Sequence, residues 1–289
     1  MNPADAKPLY DYSMSMLDDG PSEEIGGKAL RWMATVRRYE PAFGFFYGSY
    51  RKPEAVSNHQ DLGAARAWLR SKQRSSAGPG EDEVLLWAGV GKPAPRAALH
   101  VHPVIHSKSQ WLFTMRTPLV ARLTGGAPGR AAELFRELVS VVRPWSADWD
   151  EFRNFALICC GFYEKRLEGL LPPWLPRSYP EEAVPYMSLA SLRELSFRYP
   201  VCVWWHNYWC REIVDEIGRS VVLTTPAAQV VEAPDGGVFI HLCNEPFTID
   251  RPDHLLAQRR AVEHLNLRAL QVKHANPLYY GKFGTGGTK

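Results

Sequence analysis

Apolar and polar residues follow a hairpin pattern near the end of the chain, over residues 229–247. Two runs that favour β-structure, 229–233 and 238–243, flank the sequence Pro-Asp-Gly-Gly at 234–237. Proline presets φ for a turn, and glycine supplies the positive φ that closes a hairpin. Because neither face of the second run is fully polar, we expect this hairpin to lie in a sheet covered on at least one side.

Three stretches in the middle of the chain also have the pattern of strands: 84–90, 99–105 and 109–117. In the last of them, every second residue is large and apolar, which is typical of a half-buried strand. Short turn-rich segments separate the three stretches. The pattern therefore predicts a meander of antiparallel strands.

Two helices follow from apolar residues at helical spacing. The clearer one covers 130–143, where Leu134 and Leu138 belong to one apolar face. The other covers 253–265 and has Pro252 in its first turn, where the missing N–H costs nothing. Together with the strands, these helices predict an α+β fold in which helices pack on the faces of antiparallel sheets.

Weaker patterns complete the prediction. We expect residues 1–20 to be irregular and 43–50 to form an aromatic turn between helices. We interpret 152–162 and 201–205 as strands and 207–217 as a helix. At 289 residues, the chain is predicted to be one α+β domain, 1–289, or two lobes, about 20–162 and 163–275, before a loose C-terminal tail.

Composition narrows the class of protein. A formal net charge of +3 is too weak to predict nucleic-acid binding. No apolar run approaches the ~20 residues that a membrane span needs. Five cysteines without a Cys-x-x-Cys pair favour reduced thiols in the cytoplasm. Because no nucleotide loop, nucleophile elbow or dinucleotide fingerprint is present, we expect no cofactor and no catalysis.

The sharpest chemical candidate is a histidine cluster, His100, His102 and His106. Residues two apart on a strand point the same way, so the first two imidazoles could meet one metal ion. A metal-dependent hydrolase using these three residues is therefore the alternative function. The simpler interpretation is a polar strand face that binds no metal.

Three stretches, in their order along the chain, carry a family resemblance. They are Pro-Trp-Ser-Ala-Asp-Trp at 144–149, the strand-like run at 201–205, and the turn with its following strand at 234–247. Asp250, Pro252 and His254 then begin the last helix. Together these features resemble the immunity protein 52 family of bacterial polymorphic-toxin systems.

The resemblance implies a non-enzymatic antidote, with the type VI secretion system (T6SS) as one setting. Such a protein binds a cognate nuclease toxin with a restriction-endonuclease-like domain in the cytoplasm. It would act either by covering the active groove of the toxin or by blocking an assembly that the toxin needs. A nuclease groove must be basic to hold phosphates, so acidic loops are the predicted contacts. The residues chosen for contact are Glu81, Asp82, Glu83, Asp148, Asp150 and Glu151, with Trp149 as an anchor.

Overall fold

The computed structural model describes residues 12–18, 22–39, 44–48, 84–89, 98–103, 111–117, 128–151, 153–154, 157–158, 171–175 and 199–274. The chain divides into two units, Met1–Trp149 and Asp150–Lys289. Each unit combines antiparallel strands with helices, so the predicted α+β class is confirmed. None of the helices within the described residues is both long enough and apolar enough to span a bilayer.

The first unit contains a sheet with neighbours in the order β2-β3-β4-β5-β1-β6. Its strands are β1 (Tyr12–Asp18), β2 (Gly44–Gly48), β3 (Val84–Gly89), β4 (Ala98–Pro103), β5 (Trp111–Thr117) and β6 (Ser146–Glu151), of which β6 runs on into the second unit. The pairs from β2 to β1 in this order are all antiparallel. The predicted meander of β3, β4 and β5 is therefore confirmed.

Strand β1 contradicts the prediction that residues 1–20 are irregular. It pairs with β5 in a register that sets Met14 opposite Met115 and Met16 opposite Phe113. Both Met14 and Met16 are fully buried. Residues two apart on a strand share a face, so the two methionines join the core together. Serines between them made the stretch look polar and hid this alternation.

Strand β2 corrects the interpretation of 43–50 as a turn between helices. Gly44–Gly48 pairs antiparallel with β3, with Gly44 opposite Gly89. Aromatic residues favour strands. The glycines at the two ends of this segment mark the ends of a strand and not a tight turn.

The helices of the first unit are α1 (Ser22–Tyr39) and α2 (Pro128–Val142). The predicted apolar face of α2 is confirmed, because Leu134 and Leu138 are both 0% exposed. Helix α2 packs against α1 and β1. At the rim, Glu137 accepts hydrogen bonds from Arg38 Nη2 at 2.6 Å and from the Tyr39 hydroxyl at 3.1 Å.

In the second unit, strands β7, β9 and β8 are antiparallel neighbours in that order, and four helices are described over their whole length. The strands are β7 (His206–Trp209), β8 (Gln229–Glu232) and β9 (Val238–His241). The helices are α3 (Arg211–Ile217), α4 (Arg219–Leu223), α5 (Pro252–Leu265) and α6 (Leu267–His274). Helix α5 begins at Pro252 and buries Leu255, Val262 and Leu265, as predicted.

The predicted hairpin is present, and its turn has the expected chemistry. Ala233 O accepts the N–H of Gly236 at 2.9 Å, which makes Pro234 and Asp235 the central residues of a β-turn. Gly236 has φ 84°, in the left-handed region that favours glycine. Ala233 N–H then donates to Gly237 O at 2.8 Å and restarts the ladder. Glycine is therefore required at 236 by backbone geometry.

Two predictions around β7 are wrong. The expected strand at 201–205 begins later, at His206, and the expected helix at 207–217 begins at Arg211. The cause is Asn207, whose side chain accepts the Trp204 N–H at 2.9 Å and donates to Trp204 O at 2.8 Å. These two bonds hold the chain in a bend directly before the strand.

The expected strand at 152–162 is also wrong where the structure describes it. Residues 153–154 and 157–158 are helical, and Leu157 and Ile158 are buried. Leu157 and Ile158 therefore pack in the core as helical residues. Short apolar runs do not distinguish buried helix from buried strand, so periodicity alone could not decide this case.

Candidate functional site

The predicted acidic contact at 148–151 lies on strand β6 and not on a loop. Trp149 is 1% exposed, Asp150 0% and Glu151 6%. The Trp149 ring stacks on Phe135, with centroids 6.3 Å apart. The prediction of a solvent-exposed loop is wrong here, because these side chains belong to the interior. The other predicted contacts, Glu81, Asp82 and Glu83, lie outside the described residues.

Asp148 occupies an unusual environment for a carboxyl group. Burial raises its pKa to about 8, although part of the residue reaches solvent. Its Oδ1 atom has no hydrogen-bond partner within the part of the chain that the structure describes. At neutral pH the folded protein therefore holds a proton on Asp148 that the unfolded chain releases above about pH 4.

Replacing Asp148 with asparagine should raise the free energy of unfolding at pH 7.5 by about 1–2 kcal/mol. The folded-state pKa lies above the unfolded value, so the wild type loses stability as pH rises from about 4 through 8, whereas the amide does not titrate. Urea unfolding of both proteins at pH 7.5 and pH 4.5 measures the effect. The gain should shrink at the lower pH. An equal difference at both pH values would contradict the assignment of the effect to ionisation.

Asp150 begins a buried polar network in the second unit. Its Oδ2 atom accepts a hydrogen bond from Asn154 Nδ2. Burial raises the pKa of this carboxyl well above its usual range, opposed by the Asn154 amide and by the backbone N–H groups of Glu151 and Trp205. Burial therefore disfavours the charged form of this carboxyl.

Arg153 joins two segments that are far apart in the sequence. Its guanidinium donates to Glu151 Oε1 at 2.6 Å, to Asp250 at 2.5 Å and to Thr248 Oγ1 at 3.2 Å. Glu151 Oε2 also accepts the backbone N–H of Ile249 at 2.7 Å. Burial raises the pKa of Glu151, and the Arg153 charge opposes that shift. These bonds anchor the chain after β9 to the chain after β6.

The β9–α5 loop, residues 242–251, is the segment held by these contacts. Its side chains Phe247 and Ile249 are fully buried, whereas residues 244–246 are exposed. Thr248 N–H donates to His254 Nδ1 at 3.1 Å and fixes the approach to α5. The loop therefore presents a small surface on a well-anchored backbone.

Acidic side chains reach solvent at this loop. Glu245 and Asp253 have side chains 64% and 62% exposed, and Arg251 forms ion pairs with both. Asp250 is 52% exposed at the end of the Arg153 network. The sequence pattern predicted the acidic residues of β6 as contacts and not these residues. The burial of β6 could not be predicted, because it depends on contacts with residues distant in the sequence.

The predicted histidine cluster has no metal-binding group among the residues that the structure describes. His100 and His102 lie on β4, opposite Thr114 and Leu112 of β5. His106 lies outside the described residues. Across the described ranges, no group of three or more His, Cys, Asp or Glu residues could hold a metal ion.

Comparison with known proteins finds similarity at the level of the fold. No protein-family model and no curated protein matches the chain. Among solved structures, the T6SS protein PA0821 of Pseudomonas aeruginosa is similar, with a TM-score of 0.53 at 12% sequence identity. The match covers 88% of this chain and 73% of that chain. At this identity the similarity establishes a shared fold.

Proposed function

We propose that this chain is a T6SS immunity protein that neutralises a cognate nuclease toxin by stoichiometric binding. The observation that carries the proposal is the fold shared with a T6SS protein over 88% of the chain. The resemblance to the immunity protein 52 family supports it independently. Two of the stretches that carry this resemblance fall on β6 and on the β8–β9 hairpin with its following loop.

The polar groups of the second unit also favour a binding role over catalysis. Arg153 pairs with both Glu151 and Asp250, and Asp150 Oδ2 accepts a hydrogen bond from Asn154 inside the core. Buried polar groups that satisfy each other rigidify a fold. We propose that this network stabilises a binding surface and takes no part in a reaction, so the protein needs no cofactor.

The proposed partner is a toxin with a restriction-endonuclease-like domain, met in the cytoplasm of the producing cell. Protection at low copy number needs a dissociation constant of about 1 μM or lower, which corresponds to about −8 kcal/mol. Charge complementarity to the basic groove of a nuclease would speed the encounter. Exposed Glu245 and Asp253 therefore join Glu81, Asp82 and Glu83 as proposed contacts.

Reversing the charge of Glu245 and Asp253 together, both to lysine, should slow association with the toxin by about tenfold at low salt. The loss should be smaller at high salt, because screening weakens steering between exposed charges. Binding kinetics with the purified cognate nuclease toxin, at two salt concentrations, give the measurement. Growth of cells that co-express the toxin gives the functional readout.

The matched control reverses Glu232 and Glu263, which are similarly exposed and also paired with arginines. Both double variants change the net charge by the same amount, so a general charge effect would slow them equally. Equal rates would place the contact elsewhere. If the unchanged protein neither binds the toxin nor protects cells, the immunity proposal itself is wrong.

The same complex separates the two proposed modes of inhibition. If the groove is covered, nucleic acid and this protein should compete for the toxin. If an assembly is blocked, the toxin should change its oligomeric state when the protein is added, without such competition. Light scattering and a competition assay on one preparation distinguish these results.

A further inference from the structure

Two buried histidines face each other on neighbouring strands of the second unit. His206 on β7 lies directly opposite His241 on β9. Their Nδ1 atoms are in hydrogen-bond contact, and the ring centroids lie 4.5 Å apart in an edge-on arrangement. The residues are 3% and 4% exposed, and the ring of Trp205 lies 4.0 Å from that of His206. Water therefore has little access to the pair.

This contact limits the number of protons that the pair can hold. A neutral imidazole has one N–H and one acceptor nitrogen, whereas an imidazolium has two N–H groups. Only one proton fits between two facing Nδ1 atoms, so one ring donates and the other accepts. The folded pair can take one extra proton at most, on an Nε2 atom. A second would set two N–H groups against each other.

We propose that the His206–His241 pair is an acid-sensitive latch, which holds β7 to β9 at neutral pH and opens when both rings become protonated. The unfolded chain has no such limit and binds two protons below about pH 6.5. It therefore binds more protons than the folded state in acid, and stability falls as pH falls through that range. The latch is a property of the fold and does not depend on the proposed partner.

Several titratable groups lie near the pair on the elements that the structure describes. On the sheet face of the pair, Gln229 of β8 is opposite His241 and is uncharged, and Tyr208 of β7 has a raised pKa because of burial. Cys243, two residues after His241, has its pKa raised to about 12, chiefly by burial. On β6, Asp150 accepts a hydrogen bond from the backbone N–H of Trp205, and burial raises the pKa of this carboxyl.

The remaining charged groups near this region are already engaged. Glu151 is paired with Arg153, and Asp250 with the same guanidinium. On α5, burial lowers the pKa of His254, which accepts a hydrogen bond from Thr248. Two imidazolium rings would set their Nδ1–H groups against each other across this contact, and separating the strands relieves that repulsion.

The test compares the pH dependence of unfolding in the wild type and in His241→Gln between pH 7.5 and 5. Other carboxyl groups also titrate: those with a raised pKa, such as Asp148 and Glu151, contribute with the opposite sign, and those with a lowered pKa, such as Asp250, with the same sign. The difference between variant and wild type therefore carries the result. Below about pH 6, the unfolding constant of the wild type should rise about tenfold more per pH unit than that of the variant, which corresponds to one proton. His264→Gln, which removes an exposed histidine, should follow the wild type.

Hydrogen exchange locates the effect within the chain. At pH 5 the amides of β7 and β9 should exchange faster in the wild type relative to those of α2, which lies in the first unit. If His241→Gln does not fold, the double variant His206→Gln with His241→Gln replaces both rings by amides and keeps the comparison possible. The unfolding free energy of this double variant should then depend less steeply on pH than that of the wild type, by about one to two protons.

Two results would overturn the latch. One is an identical pH slope for the wild type and the glutamine variants. The other is stabilisation of the wild type, and not of His241→Gln, by one equivalent of Zn²⁺ at pH 7.5, which would make the pair a metal-binding element. A slope difference of about one proton without a zinc effect supports the latch.

Discussion

Replacing Arg153 with methionine should lower the free energy of unfolding by about 3 kcal/mol. The reason is the carboxylate of Glu151, whose side chain is only 8% exposed and would lose its counter-ion. Removing one partner of a buried ion pair leaves an uncompensated charge, which costs more than the pair contributed. Methionine keeps much of the aliphatic stem, so the loss reports the charge and its hydrogen bonds. Urea unfolding at neutral pH measures it.

The matched control is Arg259→Met on α5. Arg259 also pairs with a glutamate, Glu263, but the two side chains are 52% and 62% exposed. Surface ion pairs contribute about 1 kcal/mol or less, so this variant should remain close to the wild type. Equal losses for Arg153 and Arg259 would show that burial of Glu151 is not the cause. The pH dependence gives a further check. In acid the Glu151 carboxylate becomes protonated and neutral, so the cost of Arg153→Met should shrink.

The elements whose type was predicted correctly are specified by patterns among neighbouring residues. The hairpin turn needs only Pro234, Asp235 and Gly236, and its φ of 84° at Gly236 follows from that short motif. Helix α2 has an apolar stripe that repeats over its whole length, and both Leu134 and Leu138 are buried. Local chemistry was sufficient in these cases because it agrees with the tertiary structure.

The elements that were predicted wrongly depend on contacts with residues far away in the sequence. Glu151 is buried because Arg153 shields it and because Ile249, 98 residues away, donates a backbone hydrogen bond. The sequence 148–151, with three acids in four residues, therefore looked like a solvated loop. Strand β1 is likewise defined by its pairing with β5, about a hundred residues later. No local pattern contains that information.

The candidate site was predicted least well for the same reason. Exposure of Glu245 and Asp253 depends on how the β9–α5 loop is anchored by Phe247 and Ile249. The His206–His241 contact requires the strand register of β7 against β9. Both features arise only after the hairpin has been placed against its neighbours. Sequence could supply the hairpin but not its pairing.

Replacing Gly237 with alanine should lower the free energy of unfolding by about 2–3 kcal/mol. A Cβ atom there would lie 2.7 Å from Trp209 O and equally close to two atoms of the Tyr208 ring and hydroxyl. Neither neighbour can move easily. The carbonyl belongs to the strand residue opposite Val238, and the Tyr208 hydroxyl donates to Asp235 at 2.8 Å. Relief of the clash would break one of these contacts.

Two further glycines show whether close approach or backbone geometry causes the loss. Gly236→Val should cost about 1–3 kcal/mol for a different reason, since φ is 84° there while the nearest contact, at 3.3 Å, is the flexible side chain of Arg211. Gly129→Ala meets nothing within 4 Å and should leave stability unchanged or raise it by up to about 1 kcal/mol, because alanine favours the helix. Urea unfolding of the three variants ranks them. An unchanged midpoint for Gly237→Ala would show that β7 and the hairpin turn are not packed as described.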